Sequence, residues 1–469
     1  MPDLREQGIL GALSRAQQRR DLTSSRLVEL ALHRTAASAD LNAVVCIDAD
    51  AARAAADDID RKRTRGDTLG MLAGVPVLVK DNMDVAGLPT THGSKLHAGA
   101  GPALTDDRQV ARLRAADAVI VGKTNLSEFA MEAISDNLVF GATHNPWRRG
   151  ISPGGSSGGS AAALAAGLIP VATGTDGGGS VRIPAALCGL LGLKPTSGVV
   201  GARPARLPVE LSCAGPMAST VADLRLLAQL GAGPAYGDPS CVYGPDPGWT
   251  TRPLGKVFAT TRVAGQQPVA ADVEDVFTSA VGDFARAVDR QAHWLPPGVL
   301  PAAADEIWAT IYAAEDVYSV GSDLLRTGRR LLDTRVLAWV DQGLGVTLEE
   351  YLAARQARND CVLVLDQLLA EGNLLLTPTV TAAPYPVGGS TGDTGGLMPI
   401  DLFNTAAMNL TGHPALNVPA GYVDGVPFGL QVVGPRGSDL WLIALAEVWE
   451  RYRPWPLVAP GYEPFLPSC

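Results

Sequence analysis

Two short runs hold the densest set of side chains able to do chemistry in this 469-residue chain. The first reads Ser152-Pro-Gly-Gly-Ser156-Ser157-Gly-Gly-Ser160, and the second reads Gly174-Thr-Asp176-Gly177-Gly178-Gly179-Ser180-Val-Arg182. Helix-like stretches follow both, at residues 161–166 and 181–191. Glycines just ahead of a helix let backbone N–H groups point into open space with no Cβ in the way. Such donors, near the positive end of a helix dipole, suit an anion or a developing oxyanion. A flexible linker has a similar composition, but these runs are short and flanked by apolar strand and helix patterns.

Elimination narrows the anion. Gly122-Lys123-Thr124 has the ending of a P-loop, but the position five before Gly122 is Asp117 rather than glycine. Neither run fits the glycine spacing of a dinucleotide fingerprint. An oxyanion of acyl transfer, with a serine as nucleophile, remains. Gly154-Gly155-Ser156-Ser157-Gly158 formally matches the nucleophile elbow of α/β-hydrolases, which leaves an esterase as an alternative. That elbow needs a strand running into it, whereas residues 145–153 are polar and broken by two prolines, and only His293 and His413 follow. The six histidines (33, 92, 97, 144, 293 and 413) form no His-x-x-x-His pair, so no metal site and no cofactor are expected. The base is then a lysine, and Lys80, at the polar end of the apolar run 75–81, is the candidate. A free lysine is almost wholly protonated at neutral pH, but burial without a carboxylate partner lowers its pKa. On pattern alone, a surface lysine at a strand end is the better reading.

These residues need a scaffold. Residues 5–66 read as helical, with Thr23-Ser24-Ser25 as a cap. Residues 75–81 and 118–123 read as buried strands, with helices at 106–115 and 125–133. Helical patterns return at 305–325 and 348–369, strand-like runs at 374–380 and 416–433, and a closing amphipathic helix at 439–452. Strand–helix alternation with short links predicts an α/β fold: a mostly parallel, twisted, mixed sheet covered by helices on both faces. Without a composition break or a repeat, residues 1–469 read as one domain, with N-terminal helices over 1–66, a core near 70–200 and a variable helical region near 270–370.

Composition excludes several roles. Hydrophobic residues are 46% and charged residues 18%, so the chain can bury a large core. The net charge of −10 offers no basic footprint for nucleic acid. No run of 18 apolar residues appears, the N-terminus is charged where a signal peptide is apolar, and six scattered cysteines form no Cys-x-x-Cys pair. A cytoplasmic protein in a reducing compartment is expected, with a small molecule rather than nucleic acid or membrane as partner.

The ordered motifs closely resemble the amidase signature family. They are Gly74-Val-Pro-Val-Leu-Val-Lys80-Asp81-Asn82, Gly122-Lys-Thr-Asn125, Asn145-Pro-Trp147, the two glycine-serine runs with Ile183-Pro184, and Gly192-Leu-Lys-Pro-Thr196. Weaker matches at 215–216, 377–379 and 414–435 extend the likeness from about residue 70 to 450. The resemblance implies hydrolysis of a carboxamide through an acyl-enzyme and a Ser–cis-Ser–Lys triad: Ser180 as nucleophile, Ser156 as bridge on a cis peptide and Lys80 as base. It places the N–H groups of Gly177, Gly178, Gly179 and Ser180 around the oxyanion. It gives Ser157 a hydrogen bond to Lys80, Asp176 and Arg182 a structural ion pair, and Met131 a place in the acyl pocket. Many relatives have Thr or Ile where this chain has Gly177. The glutaminase-type subunits of tRNA-dependent amidotransferases usually carry Asp-Gln before a Gly-Pro, where this chain has Ser212-Cys213-Ala214-Gly215-Pro216, so the general amidase branch fits better. A member that only transfers or binds its acyl ligand is a further alternative. Monomers and homodimers both occur in the family.

Overall fold

The structure is a computed structural model that describes residues 4–201, 210–235, 237–238, 240–241, 252–265, 267–388 and 403–467, so Cys469 lies outside the described residues. The first sheet contains β1 (Val44–Ile47), β2 (Pro76–Lys80), β3 (Val119–Thr124) and β4 (Val171–Ala172), in the order β1-β3-β2-β4. Strand β2 runs parallel to both β3 and β4, and β1 is antiparallel to β3. Successive residues of a strand face opposite sides. Leu78, Val119 and Val121 accordingly pack with Leu27, Ala31, Ala52 and Ala56 of the helices Ser24–Ala37 and Ala49–Arg65. Val77, Val79 and Ile120 pack on the other side with Val110 and Leu113 of the helix Arg108–Ala115. Both faces are covered, which is why these strands read as continuous apolar runs.

The remaining strands are β5 (Thr175–Asp176), β6 (Leu191–Lys194), β7 (Cys213–Ala214), β8 (Met217–Ala218), β9 (Val257–Ala259), β10 (Ala292–Trp294), β11 (Leu374–Pro378), β12 (Ala415–Val423) and β13 (Val426–Val433). A second sheet has the order β10-β9-β11-β13-β12-β6-β8, while β5 pairs with β7 alone. The expected α/β class with a mixed sheet between helices is present. Parallel pairing holds in most of the first sheet and at β10-β9-β11; from β11 to β8 the pairing is antiparallel. The change of direction comes from the β12–β13 hairpin, whose turn residues Asp424 and Gly425 have φ of 47° and 74°. Positive φ at both central residues is what a tight hairpin turn needs, and Asp-Gly supplies it at low cost.

Several elements depart from the sequence reading. The N-terminal 66 residues are not wholly helical, because β1 lies between the helices Ser24–Ala37 and Ala49–Arg65. The expected helix 305–325 is two, Ala304–Val320 and Ser322–Gly328, broken at Gly321 with φ 111°. The expected helix 125–133 is absent; only the short turn Glu128–Ala130 forms. There Asn125 Nδ2 donates to the Gly141 carbonyl and to Thr143 Oγ1, and the Phe129 N–H donates to the His92 carbonyl. Phe129 and Ala130 take φ of 52° and 63°. Tertiary hydrogen bonds override local helix propensity at this point. Among the described residues no helix is long and apolar enough to cross a membrane.

Candidate active site

Lys80 ends β2 and is fully buried. Its Nζ donates to Ser156 Oγ at 2.7 Å and to Thr175 Oγ1 at 2.8 Å, and it forms no ion pair with a carboxylate among the described residues. Burial pushes its pKa down to about 7, against a weaker upward pull from Asp176. Parallel pairing of β2 with β4 brings the chain that leaves β4 across this lysine. Thr173 Oγ1 accepts from the Lys80 N–H at 2.9 Å, and Asn82 Nδ2 donates to Thr175 Oγ1 at 3.1 Å.

The first glycine-serine run is buried and fixed, which excludes a linker. The Gly155–Ser156 peptide is cis. A Cβ on Gly155 would lie 2.3 Å from the Ile134 carbonyl oxygen, so only glycine lets these backbones meet. Ser135 Oγ donates to the Ser156 carbonyl and accepts from the Gly158 N–H, and the Ser157 N–H donates to the Ser180 carbonyl at 3.2 Å, tying the two runs together. The expected hydrogen bond from Ser157 to Lys80 is not made. Ser157 Oγ instead donates to the Thr175 carbonyl and accepts from the Thr175 N–H, and Thr175 takes the place beside the amine.

Ser180 is half-buried and lines a cavity of about 430 Å³ together with Ser156, Thr175 and Gly177. Its hydroxyl has no hydrogen-bond partner among the described residues. Asp176 and Arg182 form a doubly hydrogen-bonded ion pair, both fully buried, with Arg182 Nε and Nη2 donating at 2.9 and 2.8 Å. Burial raises the Asp176 pKa, but the charge and hydrogen bonds of Arg182, with Asn409, outweigh it and hold the carboxyl at about 2. Arg182 also donates to the Thr405 carbonyl, Gln431 Oε1 and Asn409 Oδ1.

One oxyanion assignment needs correcting. The Gly179 N–H donates to Asp176 Oδ1 at 2.8 Å and is therefore committed to the ion pair. The N–H groups of Gly177, Gly178 and Ser180 have no such partner among the described residues, so they are the donors left for an oxyanion. The glycine at 177 also has its reason: a Cβ there would meet Tyr312 Oη at 2.2 Å, and one at 178 would meet the Trp308 ring at 2.5 Å. Trp308 Nε1 donates to the Gly177 carbonyl at 2.9 Å. Met131 is not among the residues lining the cavity. It packs beside Phe129, Val317 and Leu325, and Phe129 and Ala130 line the cavity instead. The absent helix at 125–133 explains the offset, since the left-handed backbone at Phe129 and Ala130 redirects the chain.

An elbow-type site is not supported, because no strand precedes Ser156 and its hydroxyl partner is a lysine. His413 is buried with its Nε2 3.2 Å from Asp366, and His293 lies in β10. The sequence reading assigned no site role to Thr175, Tyr312 or Asp316, which the structure places beside Lys80 or on the cavity wall. Thr175 lay inside the quoted motif, and Trp308, Tyr312 and Asp316 recur every four residues, one face of a helix.

A family model described as Amidase matches residues 26–443. The chain is 34% identical to a subunit of the Glutamyl-tRNA(Gln) amidotransferase of Chloroflexus aggregans, over 93% of this chain and 94% of that one. Among solved structures it resembles a bacterial aryl acylamidase of the amidase signature family, with TM-score 0.85 and 28% identity over 95% and 96% of the two chains. It also resembles 6-aminohexanoate cyclic dimer hydrolase, with TM-score 0.84 and 27% identity over 96% and 98%.

Proposed function

We propose that this chain, which belongs to the Amidase family and is an amidohydrolase, cuts its carboxamide by a relay from Ser180 through Ser156 to Lys80. The observation that carries this reading is the fully buried Lys80 amine, without a carboxylate contact among the described residues, 2.7 Å from Ser156 Oγ. An amine with pKa near 7 is neutral in a large fraction of molecules at neutral pH and can accept a proton.

Neutral Lys80 takes the Ser156 hydroxyl proton while Ser156 takes that of Ser180, and Ser180 Oγ bonds to the carbonyl carbon. The carbonyl oxygen gains the negative charge, which the N–H groups of Gly177, Gly178 and Ser180 are free to bind. The tetrahedral adduct collapses as the proton returns through Ser156 to the leaving nitrogen. The C–N bond breaks, amine or ammonia departs and an acyl ester stays on Ser180. Water repeats the sequence and releases the acid. Five free cysteines among the described residues fit a reducing, cytoplasmic setting.

A second reading, glutamine hydrolysis as part of an amidotransferase, is favoured by the 34% identical relative from such an enzyme. Against it, the positions before Gly215 hold Ser212-Cys213-Ala214, and Cys213–Ala214 is the strand that pairs with Thr175–Asp176 beside the nucleophile run. Glutaminase activity with co-purifying partner proteins would favour this second reading.

The test is a serine-directed fluorophosphonate label with the modified peptide mapped, beside turnover of aryl amides. Label on Ser180, and loss of turnover in a folded Ser180→Ala chain, are expected. Label on Ser156 with Ser180→Ala active would sink the assignment.

A further inference from the structure

The helix Ala304–Val320 presents Trp308, Tyr312 and Asp316 at four-residue spacing. Trp308 and Tyr312 stack with ring centroids 4.9 Å apart, and both lie within 6 Å of the Trp339 ring. Tyr312 and Asp316 line the same cavity as Ser156 and Ser180. Four helical residues rise about 6 Å, so Asp316 stands one turn beyond the contact of Tyr312 with Gly177.

Asp316 is 7% exposed, and among the described residues its carboxyl has one hydrogen bond, from Trp339 Nε1 at 3.4 Å. No lysine or arginine pairs with it among the described residues. Its neighbour Glu315 looks elsewhere, accepting from Tyr351 Oη and from the Glu210 N–H. The cavity-lining basic groups are His92 and His97, whose rings pack against Phe129, and Arg108, which donates to the Pro234 carbonyl. A buried carboxyl with a single long hydrogen bond costs stability, and an apolar residue would suit this aromatic face better. Burial pushes the group up to about 8, with Glu315 adding to the rise and Trp339 opposing it. A cation in the cavity would supply the missing partner.

We infer that Asp316, framed by Tyr312 and Trp339, is a cation subsite of the amidase cavity, and that the substrate is an amide carrying a protonated amine. This specificity rests on the amidase reading above, but binding at Asp316 does not depend on the Ser180 relay.

The experiment uses pairs of anilides: glycine, β-alanine and 4-aminobutyric acid anilides, each beside the neutral isostere in which methyl replaces ammonium. Calorimetric binding is measured on the full chain carrying Ser180→Ala, and kcat/KM on the wild type. At least one ammonium member should bind and react at least ~10-fold better than its isostere, equivalent to about 1.4 kcal/mol. Asp316→Asn should bring that ratio to within about threefold of unity, a readout that a merely structural role would not move. Equal binding of all three pairs to the Ser180→Ala chain that keeps Asp316 overturns the proposal, whether or not Asp316→Asn folds. So does a preference that survives Asp316→Asn. Discrimination in binding without turnover of any anilide would instead count against the relay and leave the cation subsite standing.

Discussion

Two lysines on neighbouring strands of the first sheet, one residue apart in register and so on opposite faces, are equally buried, yet their surroundings differ. Lys123, on β3, places its Nζ 2.9 Å from Asp81 Oδ1 and donates to Thr90 Oγ1 and the Pro89 carbonyl. Among the described residues Lys80 Nζ, at the end of neighbouring β2, meets only the hydroxyls of Ser156 and Thr175. Burial is common to both, so the partner decides the role. A carboxylate holds the first in an ion pair, whereas the second meets hydroxyls, the setting that the proposed relay uses.

The same substitution in both places separates the two roles. Lys80→Met should lower kcat/KM by at least ~10³-fold, since proton transfer alone contributes about 10²–10⁴-fold. Activity near the wild-type level would remove Lys80 from the reaction. The folded Lys80 pKa near 7 lies below the unfolded value near 10.4, so the unfolded chain binds more protons between them and wild-type stability rises with pH across that window. Lys80→Met should therefore resist urea better than the wild type at pH 7, by a margin that narrows toward pH 10. Lys123→Met should do the reverse, costing about 3–5 kcal/mol of stability by stranding Asp81. Urea melts of both variants beside the wild type check this pair, and equal shifts would erase the contrast.

The pH profile sharpens the comparison further. In the proposed relay Lys80 acts as the neutral amine, so kcat/KM should fall about tenfold per pH unit below ~7 and flatten above it. A limb near pH 10 would mean that the amine behaves as an exposed lysine. The smallest effect belongs to the glycine run: Gly177→Ala should cost about 1–3 kcal/mol by pressing on Tyr312, and Tyr312→Ala should recover part of it in the double variant. Additive losses in the thermal melts would show that the two side chains do not compete for that space.

How much was legible follows from how local each part is. Lys80, Ser156, Ser180 and the Asp176–Arg182 pair lie in dense short motifs, and the helix Asp439–Tyr452 declared itself by its periodicity. The turn at Glu128–Ala130 did not, because the side chain of Asn125 and the carbonyl of His92 settle it from outside the segment. Committing Gly179 to Asp176, and not to an oxyanion, depends on how the run folds back after residue 176. Tyr312 and Asp316 lie more than a hundred residues from Ser180, and a helix with aromatic residues every fourth position does not announce which side of it meets a cavity.

Arg182 joins the nucleophile run to Thr405, Asn409 and Gln431 through three of its donated hydrogen bonds. During synthesis those anchors leave the ribosome more than two hundred residues after Ser180. An unfinished chain that already contains Ser156, Ser180 and Lys80 therefore still lacks the three partners to which Arg182 is tied in the folded protein.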